Sequence, residues 1–410
     1  MILRSYALFW MRMIQYAAVG SVKFYLWILF LLALIIPGIA AYYYQFTHGL
    51  IVTNLSDQVS WGAYIANFTF LVGVAAGAVL LVVPAYVYHH KPTKDIVIVG
   101  ELLAVAAIVM CLLFILADMG RPDRFTHVLP ILGRLNFPRS VLAWDVIVLN
   151  GYLFLNLHVS GYLLFMKYLG RTPNKLIYLP IVFISIFWAA SIHTVTAFLY
   201  SGLGGRPFWN TAILAPRFLI SAFAGGPAIL TIAFRSIKSC TKLNVEEGVF
   251  DLLKKIVAIT MPINLFLLGC ELFKEFYTDS THVASAKYLY FGLHGAHMLT
   301  PYIWSAIAMD LIAMIIFVTP RLRSDNRIFI FGSVLAILGI WTEKGMGLII
   351  PGFIPSPLGD IVEYTPSIVE FFVCLGIWSL GGLIFTLLAK VAIGVLTGDL
   401  KENSSISSQH

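Results

Sequence analysis

Ten stretches of this chain are each long and apolar enough to cross a bilayer as a helix. A hydrocarbon core of about 30 Å needs about 20 apolar residues at 1.5 Å of helical rise per residue. That template is met near residues 25–46, 62–88, 95–117, 143–169, 179–202, 211–235, 250–276, 298–319, 328–351 and 367–396. Backbone polar groups in lipid must be satisfied within the chain, so the spans read as helices. A composition of 60% hydrophobic and 11% charged residues, with a mean hydropathy of +0.88, excludes a soluble globular domain. The expected fold is an all-α integral membrane protein with ten transmembrane helices.

About two-thirds of the 27 Lys and Arg fall on one side if the N-terminus is cytoplasmic, which predicts both termini inside. The net charge of +7 is then an insertion signal, and no nucleic-acid partner is implied. Residues 1–24 carry Arg4, Arg12 and Lys23 among aromatics without a small-residue cleavage site. They read as an interfacial segment leading into a retained helix. The four cysteines are far apart and form no CxxC, which argues for neither a disulfide framework nor an iron–sulfur or zinc site.

Chemistry concentrates between Ser191 and Arg217, SIHTVTAFLYSGLGGRPFWNTAILAPR. On a helix, His193, Thr196 and Tyr200 share one face. Polar groups at membrane depth normally face a bundle interior or a wet cavity and are functional candidates; the alternative is a histidine that only ties two helices together. Asp145, Tyr152 and Asn156 share a face of the fourth span, with His158 nearer the cytoplasmic end. Glu101 sits two turns inside the third span, where a carboxylate is either protonated or partnered. These groups form a ladder from Glu101 and His158 through Asn156 and His193 to Asp118 and Asp145. A proton path needs such a ladder, and a set of mutually satisfied buried groups also looks like one.

The second span opens WGAYIANF, with Trp61, Tyr64 and Asn67, and continues with small residues that allow close helix approach. After the third span, DMGRPDRF begins a loop holding Arg121, Arg124, Arg134 and Arg139 on the side that should be poor in arginine. They either cap helices and pair with Asp118 and Asp123, or face a partner. Aligning Phe68 with Phe218 brings Ala75 and Ala76 onto Gly225 and Gly226, a hint that spans two to five and six to nine are a parallel repeat. The later spans carry Asn264, Glu271 and Asp310. Span nine places Glu343 and Lys344 in a Gly/Pro-rich segment, WTEKGMGLIIPGFIPSPLGD, expected to break helical regularity. His294 and His297 have metal-like spacing but lack a third ligand, so no metal site is expected. The tail from Thr397 is polar.

WGAYIANF, GRPDRF, SIHTVTAF with GRPFWNTA, and EKGMGLIIPGFIPSPLGD with Pro366 and Glu370 occur in order over residues 60–370. In these the chain resembles the integral membrane subunits of the polysulfide-reductase (NrfD-like) family. Within the family it is most similar to the membrane subunit of complexes linked to dissimilatory sulfite reduction, then to that of periplasmic hydrogenases. The resemblance implies a multi-pass subunit of a prokaryotic cytoplasmic membrane that binds menaquinone near the outer face. It carries no haem or iron–sulfur cluster of its own and is inactive alone. Electrons would pass between the quinone and a periplasmic ferredoxin-like iron–sulfur subunit, with a multihaem cytochrome c and further membrane and cytoplasmic subunits beyond. It implies two four-helix bundles, 61–205 with the quinone site and 206–355. Residues 1–60 and 356–410 supply two peripheral helices and the polar tail.

Carried over residue by residue, the catalytic groups are His193, Asp118 and Asp145. The quinone contacts are Trp61, Tyr64, Asn67, Arg121, Tyr152, Thr196 and Tyr200. Proton-path groups are Glu101, Asn156, His158, Glu271, Glu343 and Lys344, and docking arginines are Arg124, Arg134, Arg139 and Arg206. Trp61, Phe68 and Phe198 would form an apolar slot for the ring. Two rival readings are a secondary transporter and a haem b carrier. The second would need His158 and His193, which on antiparallel helices lie at different depths, about 13 and 21 Å from the cytoplasmic edge.

Overall fold

The computed structural model describes residues 2–129, 131–278 and 283–402, so the end of the polar tail lies outside the described residues. Among the described residues the chain is helical and contains no strand. An N-terminal helix α1 (Ile2–Ala18) is followed by ten helices long and apolar enough to cross a membrane. These are α2 (Val22–His48), α3 (Ala63–Val87), α4 (Val97–Asp118), α5 (Val141–Tyr168), α6 (Lys175–Ser201), α7 (Leu214–Cys240), α8 (Glu247–Thr278), α10 (Thr300–Val318), α11 (Asn326–Phe353) and α12 (Ile368–Thr397), with a short α9 (Val283–Phe291) between α8 and α10. All ten expected spans are present. The largest boundary shift is at α7, which hydropathy ends near 235 and the helix carries on to Cys240. Its last polar turn leaves the apolar stretch without losing helical hydrogen bonds.

Local sequence explains where these helices start and bend. Ser367 and Glu370 cap α12 reciprocally: Glu370 N–H donates to Ser367 Oγ at 3.2 Å and Ser367 N–H to Glu370 Oε2 at 2.9 Å. The Gly/Pro-rich end of α11 breaks regularity as expected, with a π-turn over Thr342–Met346 and a 3₁₀ turn over Pro351–Phe353. The π-turn re-aims Glu343 and Lys344 within one helix, a device often found at functional sites.

Helix α3 is the hub, with every side chain from Ala63 to Gly77 buried. It packs on α4, α6 and α7 and on the π-turn of α11, while α7 packs on α6, α8 and α11. The two helices that align in sequence touch at backbone level, since a methyl added to Gly77 would stand 2.7 Å from the Cα of Gly226. Small residues at such a crossing replace the hydrophobic drive that lipid cannot supply. By contrast α2 buries only Leu31, Ile35, Gly38 and Gln45 and leans on α12. Both chain ends meet on one face, where Arg12 donates to the carbonyl of Lys401 at 3.0 Å. There α1 rests on α5 through Phe9 and on α12 near Tyr16, while Tyr6, Trp10, Met11 and Ile14 stay exposed.

Candidate functional site

The face of α6 that carries His193, Thr196 and Tyr200 is buried throughout. Thr196 Oγ1 donates to Asp145 Oδ1 on α5 at 3.0 Å, and the Tyr200 hydroxyl bonds that of Thr69 on α3 at 2.5 Å. His193 is fully buried, and its Nε2 lies 2.6 Å from Lys344 Nζ in the π-turn of α11. Lys344 also donates to the Phe218 carbonyl at 3.3 Å and sits 4.3 Å above the Phe218 ring. Asp145 Oδ2 and His193 Nδ1 are buried without a hydrogen-bond partner.

Beyond Lys344 the buried groups become charged. Arg217 on α7 is 8% exposed and pairs with both Glu343 of the π-turn and Glu271 of α8. A cavity of about 10 Å³ lies against this triad, lined also by Glu275, Tyr290 and Phe208, close to the least volume that holds one water. Asp310 on α10 is an electrostatic neighbour of Glu343 and Arg217. Both its carboxyl oxygens, both polar atoms of Asn264 and Glu343 Oε2 are buried without partners. A second cluster lies on the other side of α3. The Tyr64 hydroxyl donates to Gln45 Oε1 at 2.5 Å, and Gln45 Nε2 donates to the Ala117 carbonyl at 2.7 Å. Asp118, next in the chain, has a buried oxygen without partner and is an electrostatic neighbour of Tyr64, Tyr200 and Glu370. Glu370 accepts from the Tyr364 hydroxyl and from Asn54 N–H at 2.9 Å. Burial, then the Glu370 carboxylate, pushes the Tyr364 phenol up from its ordinary value.

Other expected residues fall elsewhere. Asn67 accepts from Trp341 and Trp378 at 3.0 and 2.8 Å, facing α11 and α12 rather than α6. Trp61 stacks on Trp209 with ring centres 5.7 Å apart and meets Tyr200 edge-on. Phe68 is buried, but Phe198 is 48% exposed and points away, so the three-ring slot does not form. Tyr152 and Asn156 are buried, and Asn156 donates to the Tyr152 carbonyl. Glu101 is buried with Tyr86 and Tyr152 as electrostatic neighbours. His158 is exposed on the opposite side of α5 from Asn156, so it leaves the ladder and cannot face His193 across a haem. A helix turns 100° per residue, and two positions on from Asn156 is nearly the far side.

Arg121 forms an exposed fork with Asp123 at 2.9 and 3.0 Å, which removes it from any buried pocket. This hydrogen bond holds the Asp123 carboxyl below the usual carboxylate range. Arg124, Arg134 and Arg139 are exposed in the same loop, among Phe125, Ile131, Leu132 and Phe137. Arg206 lies apart, half-buried 4.6 Å above the Phe353 ring. His294 and His297 are exposed, and among the described residues no three His, Cys, Asp or Glu gather as a metal site would require.

The profile of the polysulphide reductase NrfD family matches residues 51–355, which take in α3 to α11 with His193, Lys344 and the Arg217 triad. The chain belongs to the NrfD family. Three relatives match nearly end to end. A Halobacterium salinarum protein assigned as a membrane subunit of dimethyl sulfoxide reductase is 26% identical over 87% of this chain and 88% of its own length. The Hdr-like menaquinol oxidoreductase integral membrane subunit of Archaeoglobus fulgidus is 24% identical over 88% and 92%. The menaquinone reductase integral membrane subunit of Nitratidesulfovibrio vulgaris is 21% identical over 89% and 90%. This NrfD-family chain is thus a multi-pass membrane protein whose relatives are membrane subunits of oxidoreductase complexes.

Four groups of this NrfD-family site carry no assigned role in the sequence reading. Arg217 stands in the sequence only as the end of the Ser191–Arg217 stretch, although an arginine inside an apolar span is itself a signal. Asp310 has no partner in its own span, and the α10–α11 packing makes it an electrostatic neighbour of Glu343. Gln45 and Glu370 lie on α2 and α12 and join the Tyr64 cluster by tertiary contact alone.

Proposed function

We propose that this chain is the quinone-reactive membrane subunit of a respiratory complex in a prokaryotic cytoplasmic membrane, of the DsrP type that serves dissimilatory sulfite reduction. Both termini would be cytoplasmic, with residues 61–205 and 206–355 acting as two four-helix units. The observation that carries the reading is the Lys344–His193 contact. It joins a region of unpartnered buried acceptors, where a quinone would react, to a region of buried acids, where protons would travel.

The residues fit a quinone. Asp118 Oδ1, Asp145 Oδ2 and His193 Nδ1 are buried and without partners, and buried polar atoms are rarely left unpaired without a catalytic or binding role. Bound menaquinol supplies two electrons and two protons. The Tyr64 and Tyr200 hydroxyls would orient the ring, and Trp61 and Trp209 would close the site to water. His193 Nδ1 and Asp118 would take protons, a role worth about 10²–10⁴ in rate for a positioned base. Glu101 and Asn156 offer one route onward. Lys344, Glu343 and Glu271 offer another, with Arg217 holding the two acids. Arg124, Arg134 and Arg139, with the apolar side chains between them, would dock a periplasmic ferredoxin-like iron–sulfur subunit, followed by a multihaem cytochrome c.

The test is to isolate the tagged chain in mild detergent and apply mass spectrometry and lipid extraction to one sample. Co-isolation of iron–sulfur and cytochrome c subunits with menaquinone is expected. Recovery of a hydrogenase would replace the DsrP assignment, and a lone, quinone-free chain would favour a transporter.

A further inference from the structure

A cleft of about 130 Å³ opens between α2, α4 and α12, lined among others by Ile35, Tyr42, Leu113, Leu116, Ala117 and Ile377. Its floor is a backbone contact, since a methyl on Gly38 would stand 2.5 Å from the Cα of Gly376. The walls are apolar, and Ile39 at the rim is 63% exposed on the surface that would face lipid. One end reaches Ala117, whose carbonyl accepts from Gln45, and Gln45 in turn holds the Tyr64 hydroxyl.

We infer that this cleft takes the polyprenyl chain of the quinone, with Gln45 at the boundary between chain and ring. The inference rests on the quinone reading above and adds the path by which the ligand enters. Gln45 is 3% exposed and Tyr64 is fully buried, so the polar end of the cleft lies inside the protein. Among the described residues, the titratable groups that act electrostatically on Tyr64 are Cys374, Glu370, Asp118 and Tyr42, none of them a cation. A phospholipid would need its phosphate to enter acidic surroundings, and its headgroup belongs at the membrane surface. A prenylated quinone is apolar along its chain and presents neutral carbonyls at its head. The Gln45 amide, which now donates to a backbone carbonyl, is a donor that such a carbonyl can use.

The experiment compares binding of a long-chain menaquinone with binding of menadione, which keeps the ring and lacks the chain, to the purified protein in detergent. Leu116→Trp fills the cleft, and Leu113→Trp fills it independently should the first variant lose its fold. Long-chain affinity is expected to fall about tenfold or more, with menadione binding unchanged. An equal loss for both probes, or no loss for either, overturns the inference. So does a phospholipid recovered from the native protein and lost from the Leu116→Trp variant while quinone binding persists. If neither probe binds the native protein, the quinone reading itself fails and takes this inference with it. Where both probes bind, Tyr64→Phe is the control for the ring site, expected to weaken both equally because it acts on the ring and spares the chain.

Discussion

Lys344 and His193 come from helices 151 positions apart and meet nitrogen to nitrogen at 2.6 Å inside the protein. Two nitrogens share a hydrogen bond only if one of them offers a lone pair, so this pair holds a single bridging proton. For Nδ1 to take a proton, Nε2 must carry the bridging hydrogen and Lys344, which has Glu343 and Arg217 as electrostatic neighbours, must offer the lone pair. The contact is thus a point where events in one half of the molecule are felt in the other.

Lys344→Met should leave the complex assembled while quinol-dependent reduction falls about 100-fold, within the range for losing a positioned proton acceptor's partner. His193→Ala should do the same. The pH–rate profile is the deciding readout, because a lysine that only fills space would leave its shape unaltered.

Arg217→Met would strand Glu271 and Glu343 without their counter-charge in the interior. Breaking a buried pair in this way costs about 3–5 kcal/mol, expected as a clear drop in thermal unfolding temperature in detergent. Adding Glu271→Gln and Glu343→Gln should recover part of the loss. A single variant as stable as the native protein would show that the acids are not relying on Arg217.

Gly226→Leu would force α3 and α7 apart where their backbones touch, at a cost of about 1–3 kcal/mol or more. Gly161→Ala is the control, since nothing lies within 4 Å of a methyl there. A lower unfolding temperature for the first and none for the second is expected.

Charge reversal at Arg124, Arg134 and Arg139 together should weaken retention of the soluble partner, most of all at low salt, where these exposed charges are least screened. Quinone binding should be unaffected. Equal retention at low and high salt would remove the loop as a docking surface.

Much of this site was legible one helix at a time. The shared face of His193, Thr196 and Tyr200 follows from helical periodicity, and all three are buried. Asp145 on the neighbouring span was found in the same way and bonds Thr196. His158 and Phe198 lie on the expected helices but on their exposed sides, because hydropathy does not tell which side of an apolar rod meets protein and which meets lipid.

Hydropathy and helical periodicity alone set the number and length of the spans, the break in α11 and which polar residues each helix carries into the interior. These follow from the cost of exposing charges and backbone groups to hydrocarbon, a property of each segment alone. Tertiary structure decided which of those residues became partners. In lipid the hydrophobic effect does not select neighbouring helices, so close packing at Gly77 and Gly226, the π-turn of α11 and paired buried charges do so instead. Through those contacts Lys344 was brought to His193, Arg217 to two glutamates and Gln45 to Tyr64.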